Sequence, residues 1–254
     1  MIKEKGKIQD NLKEQTKVLK EMIDQSHNIV FFGGAGVSTA SNIPDFRSSN
    51  GLFQKKSGMT ISPEEILSHT FFINHTQEFF NFYRSKMVYV DAKPNDAHLA
   101  LAKWEQEGKL KAVITQNIDG LHQLAGSINV LELHGSIHKN YCMRCHQPFD
   151  LDFVVASQGI PICSSCGGIV KPDVVLYEES LDSAILEKSI SAISQADVFI
   201  VGGTSLTVYP AAGLVSYYRG RKLVLVNKTA TPFDTKAGLT VCGNIAEVFR
   251  QVAL

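Results

Sequence analysis

The sequence has no excess of charge of either sign. Lys and Arg total 25, Asp and Glu total 25, and the formal net charge is +0 at pH 7. Proteins that coat nucleic acid or lie on membrane surfaces carry a basic excess, so direct nucleic-acid binding is not expected, although a local basic patch remains allowed. Long apolar runs are missing too, and none approaches the length of a membrane span. Residues Met1–Lys20 alternate Lys with Glu, Asp and Gln and hold no apolar core, so no signal peptide is expected. Cysteine is scarce: there are five, four of them in two tight pairs. An odd cysteine count is unlike a secreted disulfide scaffold, and the expected compartment is the reducing cytoplasm.

What is present describes a globular chain. Apolar residues make up 44% and charged residues 20% of 254 residues. That is enough to bury a core, as one large domain with a small insertion or as two unequal domains. Ile8, Leu12, Leu19, Met22 and Ile23 recur at helical spacing, so a helix is expected over about 8–25. Asn28–Phe32 (NIVFF) is a short apolar run that breaks into Gly33-Gly34-Ala35-Gly36, as a buried strand entering a turn does. Similar runs stand at Lys111–Thr115, Asn129–Leu133, Asp197–Val201 and Lys222–Val226, most of them separated by helical patterns such as Pro94–Glu107 and Leu181–Gln195. Strands alternating with helices predict an α/β fold, a Rossmann-like parallel sheet covered on both faces. Two stretches break that rhythm: the Phe-rich Ser62–Val90, and Tyr141–Gly168 with its cysteine pairs. They read as a smaller inserted lobe, helical over about 61–91 and a zinc ribbon over about 139–169. The larger lobe then takes about 8–60, 92–138 and 170–254.

Cys142-Met-Arg-Cys145 and Cys163-Ser-Ser-Cys166 are separated by 17 residues. Two Cys-x-x-Cys knuckles on facing hairpins supply four thiolates in a tetrahedron, which suits zinc. Redox pairs come singly at a helix start, so the doubled motif favours metal over thiol chemistry. With four protein ligands no position remains for water, so the zinc is expected to be structural, one per chain. Cys242 stands alone in an apolar context and is expected to be a small buried hydrophobe.

The turn Gly34-Ala35-Gly36-Val37-Ser38-Thr39 has the glycines that let backbone N–H groups approach a pyrophosphate. It is an imperfect dehydrogenase fingerprint: Thr39 replaces the third glycine, and no strand ending in an acid follows about twenty residues on. Asn42-Ile43-Pro44-Asp45-Phe46-Arg47 follows instead. Gln116-Asn117-Ile118-Asp119-Gly120-Leu121-His122, His134-Gly135-Ser136, Gly202-Gly203-Thr204-Ser205 and Asn227 each follow an expected strand. Ligands of parallel sheets bind beyond the carboxyl ends of the strands, so these polar clusters should converge on one crevice.

In this order and spacing, GAGVSTASNIPDFR (34–47), TQNIDGLH (115–122), LHG (133–135), the two cysteine pairs, KPDVVLY (171–177), GTSLTVYPAA (203–212) and Asn227 resemble the bacterial-type sirtuins, NAD-dependent protein deacylases. The resemblance runs from about residue 10 to the C-terminus and implies a Rossmann-like domain with a small zinc lobe. It implies further that NAD is a co-substrate, that acyl-lysine proteins or peptides are the partners, and that the acyl group passes to ADP-ribose. Nicotinamide and O-acetyl-ADP-ribose are then released. His134 would be the general base at a ribose hydroxyl, and Asn117 would orient the ribose and a water. Ala35, Thr39, Asp45, Phe46, Arg47, Gln116, Ile118, Asp119, Thr204, Ser205 and Asn227 would bind the cofactor, with Ile118 and Asp119 at nicotinamide. Val175 and Tyr177 would meet the peptide. Some sirtuin-like proteins are instead mono-ADP-ribosyltransferases; these need no acyl-transfer base, so His134 favours deacylation.

The chain also departs from the family pattern. Gly33 stands where Thr is frequent, and Asn42 where Gly is usual, a change that a left-handed turn tolerates. Tyr177-Glu178-Glu179 replaces Phe-Gly-Glu, adding bulk and charge beside the peptide. Family members that prefer succinyl or malonyl lysine carry Tyr-x-x-Arg at the acyl pocket, whereas here the stretch reads Phe80-Asn81-Phe82-Tyr83 with Arg84 beside it. A neutral acyl group is therefore expected.

Overall fold

The computed structural model describes residues 2–46, 51 and 61–253, with side chains from residue 11 onward. In chain order the helices are α1 (Ile2–Asp24), α2 (Pro63–Ile66), α3 (His69–Asn74), α4 (Thr76–Lys86), α5 (Asp96–Gln106), α6 (Leu121–Leu124), α7 (Leu151–Ala156), α8 (Ser183–Gln195) and α9 (Ile245–Ala253). The strands are β1 (Ile29–Gly33), β2 (Leu110–Thr115), β3 (Val130–Glu132), β4 (Gly135–Cys142), β5 (Pro148–Phe149), β6 (Val170–Val174), β7 (Val198–Gly202), β8 (Leu223–Asn227) and β9 (Leu239–Cys242).

Strands β1 and β7 are buried at every position, and β8 at all but its last. Unbroken apolar runs of this kind need cover on both faces, which parallel pairing with crossover helices supplies. The six-stranded sheet runs β3-β2-β1-β7-β8-β9, every pair parallel. Counted within this sheet alone, that is the doubly wound order in which growth reverses beside the first strand. The reversal falls between β1 and β7, and a crevice opens beyond their carboxyl ends. Leu19, Ile23, Leu101, Trp104 and Phe249, from α1, α5 and α9, cover one face. Ile193 from α8, with Leu214 and Val215 of the 3-10 turn Ala211–Tyr217, covers the other. Each such side chain contributes roughly 1.5–3 kcal/mol through burial.

The second sheet, β5-β4-β6, is antiparallel. Against it pack α2 to α4; the starts of α2 and α3 are fixed by Ser62 and Ser68 accepting from the amides of Glu65 and Phe71. Their phenylalanines interlock edge to face, Phe79 standing 4.9 Å from Phe72 and 5.4 Å from Phe80. The same apolar cluster takes in Cys142, Cys163, Val170 and Val174, so the Phe-rich helices and the cysteine knuckles share one core.

The structure differs from the sequence expectations at the C-terminal end. Strand β9 and helix α9 complete the large sheet's edge and cover, although Leu239–Cys242 is too short a run to announce a strand. Cys242 is exposed rather than buried: it ends the edge strand, and its thiol donates to the Lys228 carbonyl at 3.5 Å. Among the described residues no helix is long and apolar enough to cross a membrane.

Candidate active site

A cavity of about 580 Å³ occupies the crevice at the reversal point. One half is polar, walled by Ala35 and Thr39 after β1, Gln116 and Asn117 after β2, Thr204 and Ser205 after β7, and Asn227 at the end of β8. The other half is apolar, walled by Phe46, Leu67, Tyr83, Met87, Ile118 and Leu176. Asp45, Asp119, His134, Val175 and Tyr177 also reach it. Every cofactor, peptide and catalytic residue expected from the sequence thus lines a single cavity, except Arg47, which lies outside the described residues.

The polar half depends on backbone contact that a side chain would block. The Gly36 amide donates to the Gly203 carbonyl at 2.8 Å, and a β-carbon on Gly36 would stand 2.8 Å from the Gly203 α-carbon. Gly203 itself has φ +62, the left-handed region. Around this contact Gln116 Nε2 donates to Thr204 Oγ1 at 3.0 Å, and the Thr204 amide donates to Asn227 Oδ1 at 2.9 Å. Asn227 Nδ2 is buried without a partner among the described residues, a donor left over for a ligand in the polar half. The volume, the glycine turn at the end of β1 and this spare amide fit a dinucleotide.

Between the halves stand the titratable groups. His134 Nδ1 lies 2.9 Å from the Gln116 carbonyl, which only accepts, so Nδ1 carries the proton and Nε2 keeps its lone pair. Burial holds the His134 pKa below the ordinary imidazole value, with the Gln116 carbonyl pulling the other way. Asp119 shifts upward, first through burial; hydrogen bonds from Ser38 and the Leu121 amide oppose the shift. Ser38 Oγ donates to Asp119 Oδ2 at 2.6 Å and accepts from Asn117 Nδ2 at 3.0 Å. Ser38 thus ties the turn after β1 to the loop after β2. Sequence reasoning gave it no role, and its place inside the matched turn was the only signal.

On the apolar side the chain leaves β6 as Val174–Tyr177. The Val175 amide donates to the His134 carbonyl at 3.0 Å, joining this segment to the backbone of the candidate base. Gly135, at φ +74, permits the approach; a β-carbon there would stand 1.9 Å from the Asp173 carbonyl oxygen. Tyr83 is fully buried and its hydroxyl has no partner among the described residues. Arg84 turns away from the cavity: its guanidinium donates to the carbonyls of Val154 and Gly159 at 2.9 and 2.6 Å and lies over the Phe80 ring.

Away from the crevice, the sulfurs of Cys142, Cys145, Cys163 and Cys166 all lie within 4.8 Å of one another. The Cys142–Cys166 and Cys145–Cys163 separations are 3.4 and 3.7 Å. A tetrahedron with zinc–sulfur bonds of about 2.3 Å has edges of roughly 3.8 Å, so the set fits one zinc ion.

A doubly wound sheet with a polar crevice at its reversal point defines a dinucleotide-binding α/β protein, and the four-thiolate ribbon narrows the class. A model of the Sir2 family matches residues 34–210. The chain belongs to the Sir2 family. It is 61% identical over 242 residues to an NAD-dependent protein deacetylase of Clostridium acetobutylicum, covering 95% of this chain and 99% of that one. To the NAD-dependent protein deacetylase of Clostridium perfringens it is 60% identical over 235 residues, covering 92% and 96%. Among solved structures, a Sir2 complex with a p53 peptide and NAD+ is 39% identical with a TM-score of 0.82, covering 93% of this chain and 96% of that one. A Sir2 complex with a deacetylated p53 peptide and 3'-O-acetyl-ADP-ribose has a TM-score of 0.85 at 39% identity, with the same coverage.

Proposed function

We propose that this chain is an NAD-dependent protein lysine deacetylase that passes the acyl group of a modified lysine to ADP-ribose, releasing nicotinamide and O-acetyl-ADP-ribose. The observation that carries this reading is the position of His134. Its side chain is oriented by the loop that lines the polar half, and its backbone carbonyl is bonded to the segment that lines the apolar half. A base so placed serves both a nucleotide and a peptide. The names of the relatives and of the ligands in the solved Sir2 complexes support the same reaction.

NAD, when bound, supplies the ribose that receives the acyl group and the nicotinamide that leaves. Ala35, Thr39, Gln116, Thr204, Ser205 and Asn227 hold the nucleotide in the polar half, with Asp45 beside it; the family resemblance gives Arg47 a cofactor role as well. Ile118 and Asp119 receive the nicotinamide end, and the Ser38 bridge orients Asp119 and Asn117 relative to one another. Asn117 orients the ribose and a water. Phe46, with the apolar wall around it, excludes water from the reacting centre. His134 Nε2 takes a proton from a ribose hydroxyl, the role its free lone pair suits. Val175 and Tyr177 meet the peptide, and Tyr83, backed by the buried Phe80, shapes a neutral acyl pocket from which Arg84 is withdrawn. The four cysteines hold one structural zinc in a smaller lobe (about 61–91 and 139–169) set into the nucleotide-binding lobe. The scarcity and pairing of cysteine support a cytoplasmic place of action, and the balanced charge supports a partner that is protein rather than nucleic acid.

The deciding experiment incubates the protein with NAD and an acetyl-lysine peptide and identifies products by mass spectrometry. Free lysine peptide, nicotinamide and O-acetyl-ADP-ribose are expected. A peptide that gains ADP-ribose while keeping its acetyl group would overturn the reading.

A further inference from the structure

The segment Val174–Tyr177 is held along its length by backbone bonds. Besides the Val175–His134 bond, the Tyr177 amide donates to the Leu67 carbonyl, and the Tyr177 carbonyl accepts from the His69 amide, both at 3.0 Å. At the far end of this segment stand two successive carboxylates that turn to neighbouring residues of one helix start. Glu178 has φ +76, a left-handed backbone that is strained for any residue with a β-carbon. With that backbone, its Oε2 accepts from the Thr70 amide at 2.9 Å. Glu179 Oε1 meets His69 Nδ1 at 2.9 Å, and its Oε2 accepts from the Leu176 amide at 2.9 Å and from Lys171 Nζ at 3.2 Å. Lys171 is 4% exposed, and its ammonium also donates to the carbonyls of Val174 and Pro172 at 3.0 and 3.3 Å.

Glycine would make the turn at 178 without strain, and glycine is what the sirtuin pattern has there. A glutamate that accepts the strain does so with its carboxylate engaged on Thr70. Hydrogen bonds from Thr70 hold the Glu178 carboxyl below the usual range. At Glu179 burial pushes upward, but Leu176, His69 and Lys171 together outweigh it. Both groups are therefore charged acceptors at neutral pH, bracing the same segment from adjacent positions.

We propose that Glu178 is a positioning residue which, with the Glu179–Lys171 pair, clamps the peptide-receiving segment Val174–Tyr177 to His69–Thr70. The clamp presets the edge that an acyl-peptide meets. With one oxygen held by the Thr70 amide, the Glu178 carboxylate acts through the segment it braces rather than by pairing with the peptide. This inference rests on the deacetylase reading given above.

The test compares wild type with Glu178→Ala, Glu178→Gly and Glu178→Gln on acetyl-lysine peptides with neutral, acidic and basic flanks. Loss of one charge-assisted hydrogen bond predicts that Ala and Gly raise the peptide KM by about fivefold or more on all three peptides, with kcat and the NAD KM within about twofold. Gln keeps an acceptor for Thr70 and restores the peptide KM. In Glu178→Ala the amides of Leu176 and Tyr177 should exchange with deuterium faster than in wild type, which needs no substrate. An unchanged peptide KM overturns the clamp. So does a penalty whose size follows the sign of the flanking charge, which would put the carboxylate on the peptide itself. Parallel loss of Tm, kcat and NAD affinity overturns it as well, since that marks general damage to the fold. If wild type fails to deacetylate, the deacetylase reading fails instead, and the exchange measurement still tests the clamp.

Discussion

His134 combines two constraints that together set its chemistry. The Gln116 carbonyl fixes which nitrogen carries the proton, and burial lowers the pKa, so the imidazole stays neutral to lower pH than an exposed imidazole does. A base must be unprotonated to act, so a lowered pKa carries activity to lower pH. We expect the acid limb of kcat/KM to fall below the ordinary imidazole value. Replacing His134 with Ala should cost a factor of about 10²–10⁴ in deacetylation while leaving the zinc content and the folded spectrum intact. Exchange of labelled nicotinamide into NAD in the presence of acyl-peptide needs only the first half of the reaction and should survive better. A correctly folded His134→Ala protein with near wild-type turnover would remove the base assignment. At this scale the sequence was most legible where motif and strand end coincide. Gln116, Asn117, His134, Thr204 and Asn227 all fall at the crevice because parallel strands bring their carboxyl ends to one side. The Ser38 bridge and the Glu178 clamp were not legible, since each joins residues about eighty to one hundred and ten positions apart and only the folded chain shows them adjacent.

At the scale of elements, the zinc ribbon and the Phe-rich helices stand or fall together. Cys142 and Cys163 pack in the same cluster as Phe72, Phe79, Phe80 and Tyr83, so the metal that draws the knuckles together also completes the core of α2 to α4. Cys142→Ser or Cys166→Ser should lose zinc by elemental analysis and lower Tm. Amides of α4 should exchange faster, while those of the fully buried β1 and β7 change less. Zinc-free preparations with an unchanged Tm would refute this coupling. The same helices set acyl choice. Arg84 already satisfies two carbonyls with its guanidinium, so a succinyl carboxylate entering beside Tyr83 loses its hydration without gaining the planar fork of an arginine; Lys86, which also lines the cavity, offers only a point charge. Acetyl-lysine peptide should therefore show the higher kcat/KM in a paired assay; a reversed ratio would mean that Arg84 gives up those carbonyls in the complex. The spans of α5 and α8 were legible from their helical patterns, while the caps that fix their starts, Asn95 and Asp182, are seen only in the folded chain. Strand β9 was not, because four residues at a sheet edge carry too little periodicity to separate from a loop.

Across the whole molecule, the parallel sheet covered on both faces followed from apolar runs that end in glycine or polar clusters, while the strand order is seen only in the folded chain. What no pattern revealed is a pair of buried histidines beneath the crevice. His98 and His122 lie with ring centroids 4.7 Å apart, both essentially inaccessible, and His122 also faces Phe31. His98 Nδ1 accepts from the Asn95 amide, which requires a neutral ring, while His98 Nε2 and both His122 nitrogens have no partner among the described residues. The Asn95 side chain continues to the Val37 carbonyl and Ser41 Oγ, so the pair underlies the turn that lines the polar half of the cavity. Burial lowers the His98 pKa to about 4; His122 falls well below the ordinary value, through burial first and then through His98. In the unfolded chain both titrate near 6.5, so between about pH 6.5 and 4 the unfolded state binds protons that the folded state refuses. Stability is then complete above pH 6.5 and falls as pH drops, by at most about 1.4 kcal/mol per pH unit for each histidine. Thermal melts from pH 7.5 to 5 should show this decline before most carboxylates titrate. His122→Phe, which puts an apolar ring against Phe31, should flatten it by removing one proton-binding group from the unfolded chain. If His122→Phe melts with the same slope as wild type, the acid sensitivity arises elsewhere, and the buried pair is only packing.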